Sequence, residues 1–100
     1  MRIALVPAYE PEPLLVNLAE RLEQFGFQTV VVDDGSGDAY GQIFSAAGRH
    51  AVVLAHDKNK GKGSAIKTGL TYIKETFPDD SIIVTLDADG QHRVEDAVAV

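Results

Sequence analysis

Asp87 and Asp89 stand one residue apart at the end of an apolar run, in the stretch Ile82-Ile-Val-Thr-Leu-Asp-Ala-Asp-Gly-Gln-His92. The run Ile82 to Leu86, bounded by polar residues, reads as a buried strand. Asp87 then sits at the carboxyl end of a strand, where open α/β sheets bind their ligands. Two carboxylates this close repel each other, and a cation is needed to neutralise them. Hard oxygen donors favour Mg2+ or Mn2+. A metal held by one or two carboxylates keeps open positions that substrate phosphates can fill. A basic cluster complements the acids: Lys58, Lys60, Lys62 and Lys67 are four of the 9 basic residues in a chain of net charge −6. Lysines ahead of a helix amino terminus, with Gly61 and Gly63 permitting close backbone approach, make an anion site. Tyr9 offers an aromatic face, and Asp33 and Asp34 add carboxylates. Divalent cation, phosphates and an aromatic base together describe a nucleoside diphosphate.

Each feature has a plainer reading by itself. Asp33-Asp34-Gly35-Ser36 can be a helix-capping turn. The lysines can be a solvated loop, Tyr9 simple packing between prolines, and Asp87-Ala-Asp89 a turn. His92, near a helix start, reads as a cap or surface residue, and His50 and His56 carry no usable signal. What favours the functional reading is co-location, and co-location depends on the elements that carry these residues.

Those elements alternate. Arg2 to Val6 reads as a first strand, and Pro7, Pro11 and Pro13 mark a loop, with Pro13 suited to a first helical turn. Leu14, Leu15, Leu18, Leu22 and Phe25 recur at helical spacing, and Gly26 is a stop. Strands follow at Gln28 to Val32, Ala51 to Ala55 and Ile82 to Leu86. Helices are predicted at Tyr40 to Ala47, at Ser64 to Phe77 with Pro78 beyond, and from Val94 to Val100. Strands alternating with helices mean parallel βαβ units with right-handed crossovers. The runs Ile3–Val6, Val30–Val32, Val52–Leu54 and Ile82–Val84 look apolar on both faces, as a sheet covered by helices requires. The expected fold is a Rossmann-like three-layer αβα arrangement with a parallel sheet of order 3-2-1-4. In such a sheet the loops Pro7–Glu10, Asp33–Asp38, His56–Gly63 and Asp87–His92 share one edge. The final helix is cut off at Val100, as in a fragment of a longer protein.

Composition excludes other classes. The acidic balance argues against nucleic acid as a partner. No apolar run approaches the ~20 residues of a membrane span. The absence of cysteine removes disulfides and thiol metal sites and fits a reducing, cytoplasmic compartment. Familiar motifs fail too. Gly61-Lys62 is followed by Gly63 and position 56 is His, so there is no Walker A loop. Gly35-x-Gly37 has Tyr40 where a dinucleotide fingerprint needs a third glycine. Asp87-x-Asp89-Gly90 opens like a calcium loop, but its twelfth position is Val98.

Taken together, Val6-Pro-Ala-Tyr-Glu10, Val31-Val-Asp-Asp-Gly-Ser36, Asn59-Lys-Gly-Lys-Gly-Ser-Ala65 and Leu86-Asp-Ala-Asp-Gly-Gln-His92 resemble the amino-terminal half of a family-2 glycosyltransferase of the GT-A fold. The motifs occur in the family's order and span almost the whole chain. The form around Asp87 looks most like the polyprenyl-phosphate sugar transferases, such as dolichol-phosphate mannose synthase. The resemblance implies a truncated GT-A fold, with residues 1–100 as its nucleotide-sugar-binding part. It implies that Pro7, Ala8, Tyr9 and Glu10 line the nucleotide pocket, with Tyr9 on or near the base. Asp34, joined by Asp33, would hydrogen-bond the base, and Lys62 would sit near the nucleotide. Asp87 would touch the ribose or the metal shell, and Asp89, with Gln91, would hold Mg2+ or Mn2+ against the diphosphate. The substrate would be a UDP- or GDP-linked sugar and the acceptor a polyprenyl phosphate. The general base is expected beyond Val100, and Glu95 and Asp96 are read instead as complements to a helix dipole. The 100 residues alone are expected to bind the sugar nucleotide without transferring the sugar.

Three rival readings come from other classes. A haloacid-dehalogenase-like phosphatase would use Asp87 as nucleophile and Asp89 as acid, but that motif has Thr where Gln91 stands and lies on the first strand. A receiver-like module would carry its acids after strands one and three rather than two and four. A non-catalytic nucleotide-binding module is the remaining alternative.

Overall fold

The computed structural model describes residues 1–88. Strands β1 (Arg2–Ala8), β2 (Gln28–Asp33), β3 (Val52–Ala55) and β4 (Ile82–Thr85) alternate with helices α1 (Leu14–Gln24), α2 (Gly41–Ala47) and α3 (Lys62–Thr76). All strand pairs are parallel and the order is β3-β2-β1-β4, as the alternation predicts. The helix read at Val94 to Val100 lies outside the described residues.

The sheet reverses its direction of growth between β1 and β4, and this sorts the helices. With crossovers of one hand, α1 and α2 cover one face and α3 the other. One core layer joins Ala4, Val6 and Val31 to Leu15, Leu18 and Leu22 of α1 and Phe44 and Ala47 of α2. The opposite layer joins Ile3, Leu5, Val30 and Val32 to Ala65 and Ile73 of α3. β1 and β2 are therefore buried on both faces.

The edge strands are not, which corrects the reading of Val52–Leu54 and Ile82–Val84 as covered runs. Val52, Ile82 and Ile83 are exposed, Ile82 by 64%. The reason is positional: α3 packs on β1 and β2 rather than on β4. Leu14, counted into the apolar stripe of α1, is also exposed, whereas Leu15, Leu18 and Leu22 face inward.

Helix ends follow local chemistry. The last turn of α1 closes with Gly26 N–H donating to Glu23 and Phe27 N–H to Leu22, with Gly26 at φ 84°. This is a Schellman stop, and it needs glycine at the left-handed position. Pro7 departs from the expected loop and lies inside β1, opposite Val32. Leu86 N–H donates to the Leu5 carbonyl, so alternate residues of β1, Pro7 included, present their polar groups to the β4 side. Pairing with β4 stops at Leu5–Thr85, so the donor that proline lacks has no ladder partner to lose. The short α2 is preceded by a single 3-10 turn, Asp38–Tyr40, where the sequence reads helix from Tyr40. Among the described residues no helix is long and apolar enough to cross a membrane.

Gly69 sets how close α3 comes to the sheet. A Cβ there would lie 2.1 Å from Leu5 Cδ1 and 3.2 Å from Leu5 Cγ, and Leu5 is fully buried. Gly69→Ala gains helix propensity of about 1 kcal/mol but overpacks a site that typically answers with a loss of about 1–3 kcal/mol. We expect a net loss of about 1–2 kcal/mol in urea unfolding, relieved when Leu5→Val is added. Equal stabilities of Gly69→Ala and the unaltered protein would show that α3 can back away at no cost.

Candidate functional site

The carboxyl ends of the strands meet at a cleft of about 250 Å3, lined by Pro7 and Ala8 at the end of β1 and Tyr9 just beyond it, Asp34 after β2, Asn59, Gly61, Lys62 and Ala65 around the start of α3, and Asp87 after β4. Its place is the switch point of the sheet, where the loops after β1 and β4 diverge. Pro7, Ala8, Tyr9, Asp34, Lys62 and Asp87, all singled out in the sequence, are brought together here. Glu10 and Asp33 act beside the cleft rather than in its wall.

Ser36 joins the first two loops. Its Oγ accepts the Glu10 N–H at 2.8 Å, and its own N–H donates to Asp33 Oδ1 at 2.9 Å. Glu10 takes φ 48°, a left-handed conformation that costs a non-glycine residue energy and persists only when its surroundings demand it. That turn leaves Tyr9 51% exposed at the mouth of the cleft.

Asp34 organises the third loop. It is only 3% exposed, and both carboxylate oxygens are engaged: Oδ1 accepts the Lys60 N–H at 2.9 Å and Oδ2 the Gly61 N–H at 2.8 Å. His56 Nδ1 lies 2.8 Å from Oδ1, and the Asp34 carbonyl accepts from the Asn59 amide at 3.4 Å. Burial pushes the Asp34 carboxyl up. The His56 hydrogen bond, the Lys60 and Gly61 amides and the His56 charge outweigh that and hold it below its ordinary value of 3.8. Gly35, with φ 73°, lets the 58–59 backbone pass directly over the β2 turn.

This anchoring moves the start of α3. The sequence places it at Ser64, but the helix begins at Lys62, with Gly61 at φ 97° and ψ 158° as its cap residue and Ala65 N–H donating to the Gly61 carbonyl. The first amides of a helix have no intrahelical partners, and here that end opens on the cleft. Of the lysines between 58 and 67, Lys62 lines the cleft, while Lys60 pairs at 3.8 Å with exposed Asp57. Lys62 Nζ donates to Asp87 Oδ1 at 2.6 Å, with side chains 62% and 33% exposed. A pair this exposed adds little stability. Its consequence is chemical: a cation from α3 meets the carboxylate that follows β4 across the cleft.

Asp89 and Gln91 lie outside the described residues, as does His92. Among the described residues no group of three His, Cys, Asp or Glu side chains could hold a metal ion. Of the two described carboxylates that line the cleft, Asp34 has both oxygens committed within the protein, and Asp87 accepts from Lys62 through Oδ1. Sequence reasoning passed over His56 and Ser36. The signal for His56 was its position directly after a parallel strand, which puts it on the ligand edge.

A parallel sheet with a cleft at its switch point defines an open-sheet α/β protein, a class in which ligands bind at that position. The profile of Glycosyl transferase family 2 matches residues 3–98, and the chain belongs to that family. The sheet order and helices are consistent with a truncated GT-A domain. An uncharacterised protein of Methanocaldococcus jannaschii is 37% identical over 97 residues, covering 96% of this chain and 38% of the relative. The UDP-N-acetylglucosamine–dolichyl-phosphate N-acetylglucosaminyltransferase of Methanococcus voltae is 31% identical over 112 residues, covering 96% of this chain and 44% of the relative. The undecaprenyl-phosphate 4-deoxy-4-formamido-L-arabinose transferase of Sodalis glossinidius is 31% identical over 102 residues, covering 92% and 30%. The chain thus spans less than half the length of these relatives.

Proposed function

We propose that this chain is the nucleotide-sugar-binding part of a glycosyltransferase that passes a sugar from a UDP- or GDP-linked donor to a polyprenyl phosphate. The observation that carries the reading is the cleft itself, which joins an exposed ring, an anchored helix amino terminus, a lysine and a strand-end carboxylate. Pro7, Ala8 and Tyr9 line the base side. The opening amides of α3 and the Lys62 ammonium meet the diphosphate, where donors fixed in advance stabilise charge that develops as the reaction proceeds. Asp87 would take the ribose or, with Asp89 and Gln91, would hold Mg2+ or Mn2+. When bound, the metal supplies Lewis-acid neutralisation of the diphosphate. In the transfer, an oxygen of the acceptor phosphate bonds to the anomeric carbon. The bond from that carbon to the diphosphate oxygen breaks, and the nucleoside diphosphate departs with the electron pair. A lipid acceptor places this chemistry at a membrane surface, on the cytoplasmic side.

Two relatives whose names carry a polyprenyl phosphate support the acceptor class. Titration calorimetry with UDP- and GDP-sugars, with and without Mn2+, tests the reading. We expect one nucleotide to bind only with metal, and Asp89→Ala to weaken that binding by about tenfold or more, the range seen when metal-site partners are removed. Binding that ignores both Mn2+ and the substitution would defeat the proposal.

A further inference from the structure

We infer that His56 is a positioning residue of this site: it fixes the Asp34 carboxylate in the orientation that draws in the Lys60 and Gly61 amides, and so sets where the amino terminus of α3 meets the cleft. The consequence for nucleotide affinity rests on the function proposed above. The hydrogen-bond arrangement does not.

His56 is held at three points. Its backbone N–H donates to the Asp33 carbonyl at 2.8 Å, which pins it to the end of β2. Its ring lies 2.8 Å from Asp34 Oδ1 through Nδ1 and 2.8 Å from Thr68 Oγ1 through Nε2. The His56 side chain is 8% exposed and that of Asp34 5%. An ionised carboxylate only accepts, so Nδ1 carries a proton. Nε2 then accepts from the Thr68 hydroxyl when the ring is neutral and donates to it when the ring is charged. The hydroxyl serves both states, and the ring stays clamped between β2 and α3.

The carboxylate has need of such a brace. The terminal torsion of an aspartate is broad and roughly two-fold, so it does not select one orientation unaided. Here Oδ1 and Oδ2 must point to successive amides, Lys60 and Gly61, just before the first helical residue. A turned carboxylate would leave those amides without an acceptor, and the first turn of α3, with Lys62 on Asp87, would lose its anchor. If the ring merely filled space, any loss at His56 would spread through the core, and restoring a single donor would not repair the loop.

Two substitutions separate these cases. Asparagine places an amide nitrogen near the position of Nδ1, and glutamine places one near Nε2. His56→Asn keeps the donor to Asp34, and His56→Gln keeps only the reach to Thr68. Amide hydrogen exchange is followed by NMR on the 100-residue chain, with Leu5 and Val31 in the central strands as internal references. We expect His56→Gln to speed exchange at Lys60 and Gly61 by about tenfold or more, as loss of a charged hydrogen bond implies, with Leu5 and Val31 unmoved. His56→Asn should stay close to the unaltered protein at all four. Titration with UDP and GDP in the presence of Mn2+ should show affinity following the same order. Unchanged exchange at Lys60 and Gly61 in His56→Gln, equal acceleration in both variants, or acceleration reaching Leu5 and Val31 to the same degree would each overturn the inference. An unaltered protein that binds neither nucleotide would overturn the proposed function alone and leave the exchange result to decide the role of His56.

Discussion

Gly35→Ala should lift the 56–61 loop off the end of β2 and remove about 2.5–5 kcal/mol of stability, a left-handed penalty of about 1–2 kcal/mol together with one lost charged hydrogen bond of about 1.5–3 kcal/mol. The added Cβ would lie 2.2 Å from the Lys58 carbonyl carbon and 2.4 Å from the Asn59 nitrogen. Both are backbone atoms, so no side chain can rotate to make room. The chain escapes by moving the loop, and the loop carries the Lys60 and Gly61 amides that Asp34 holds. Gly37 provides the control. It also has positive φ, 93° with ψ 172°, but a Cβ there meets nothing within 4 Å. Gly37→Ala should cost only the conformational strain, about 1–3 kcal/mol. Urea unfolding of the two variants checks the ranking. Equal losses would mean that close approach over Gly35 does not anchor the loop.

The fold was legible because its signals are local. Apolar runs separated by helical stripes dictate parallel units, and parallel units dictate that all strand ends share an edge. The chain order of acids, lysines and Tyr9 was therefore enough to predict a common cleft. What escaped the sequence depends on partners distant along the chain. Ser36 meets Glu10 across 26 residues, and His56 meets Asp34 across 22. No periodicity encodes either contact. The start of α3 was misplaced for the same reason: Ser64 has the local capping preference, yet an aspartate 27 residues before Gly61 fixes the turn. Pro7 looked like a strand breaker because the end of β4, which excuses its missing donor, is set by register. The runs at Val52 and Ile82 have the composition of covered strands, but sheet order puts them at the edges. Asp87 illustrates the limit from the other side. Its charge points to a cation without naming one, and among the described residues Lys62 meets one of its oxygens.

Asp34→Asn should cost about 2–4 kcal/mol, as expected when a buried charged acceptor gives way to an amide, and the cost should fade in acid. The geometry leaves asparagine no good orientation. With its oxygen in place of Oδ1, its NH2 faces the Gly61 donor. With the NH2 there instead, it faces the Lys60 donor, even if His56 changes tautomer to accept through Nδ1 and donate to Thr68. One buried donor is stranded either way. The acid dependence follows from the carboxyl value. The His56 hydrogen bond and the two amides overcome burial and hold Asp34 below its ordinary 3.8. A carboxyl lowered by folding contributes fully above its unfolded value, and that contribution drains away as pH falls from there through the lower folded value. Asparagine does not titrate, so the stability gap between the two proteins should be constant near neutrality and close progressively below about pH 4. Urea unfolding across that range measures the gap directly. A gap that stayed constant down to the acid transition would mean that Asp34 is not the ionised keystone of the loop, and the carboxylate clamp on Lys60 and Gly61 would have to be abandoned with it.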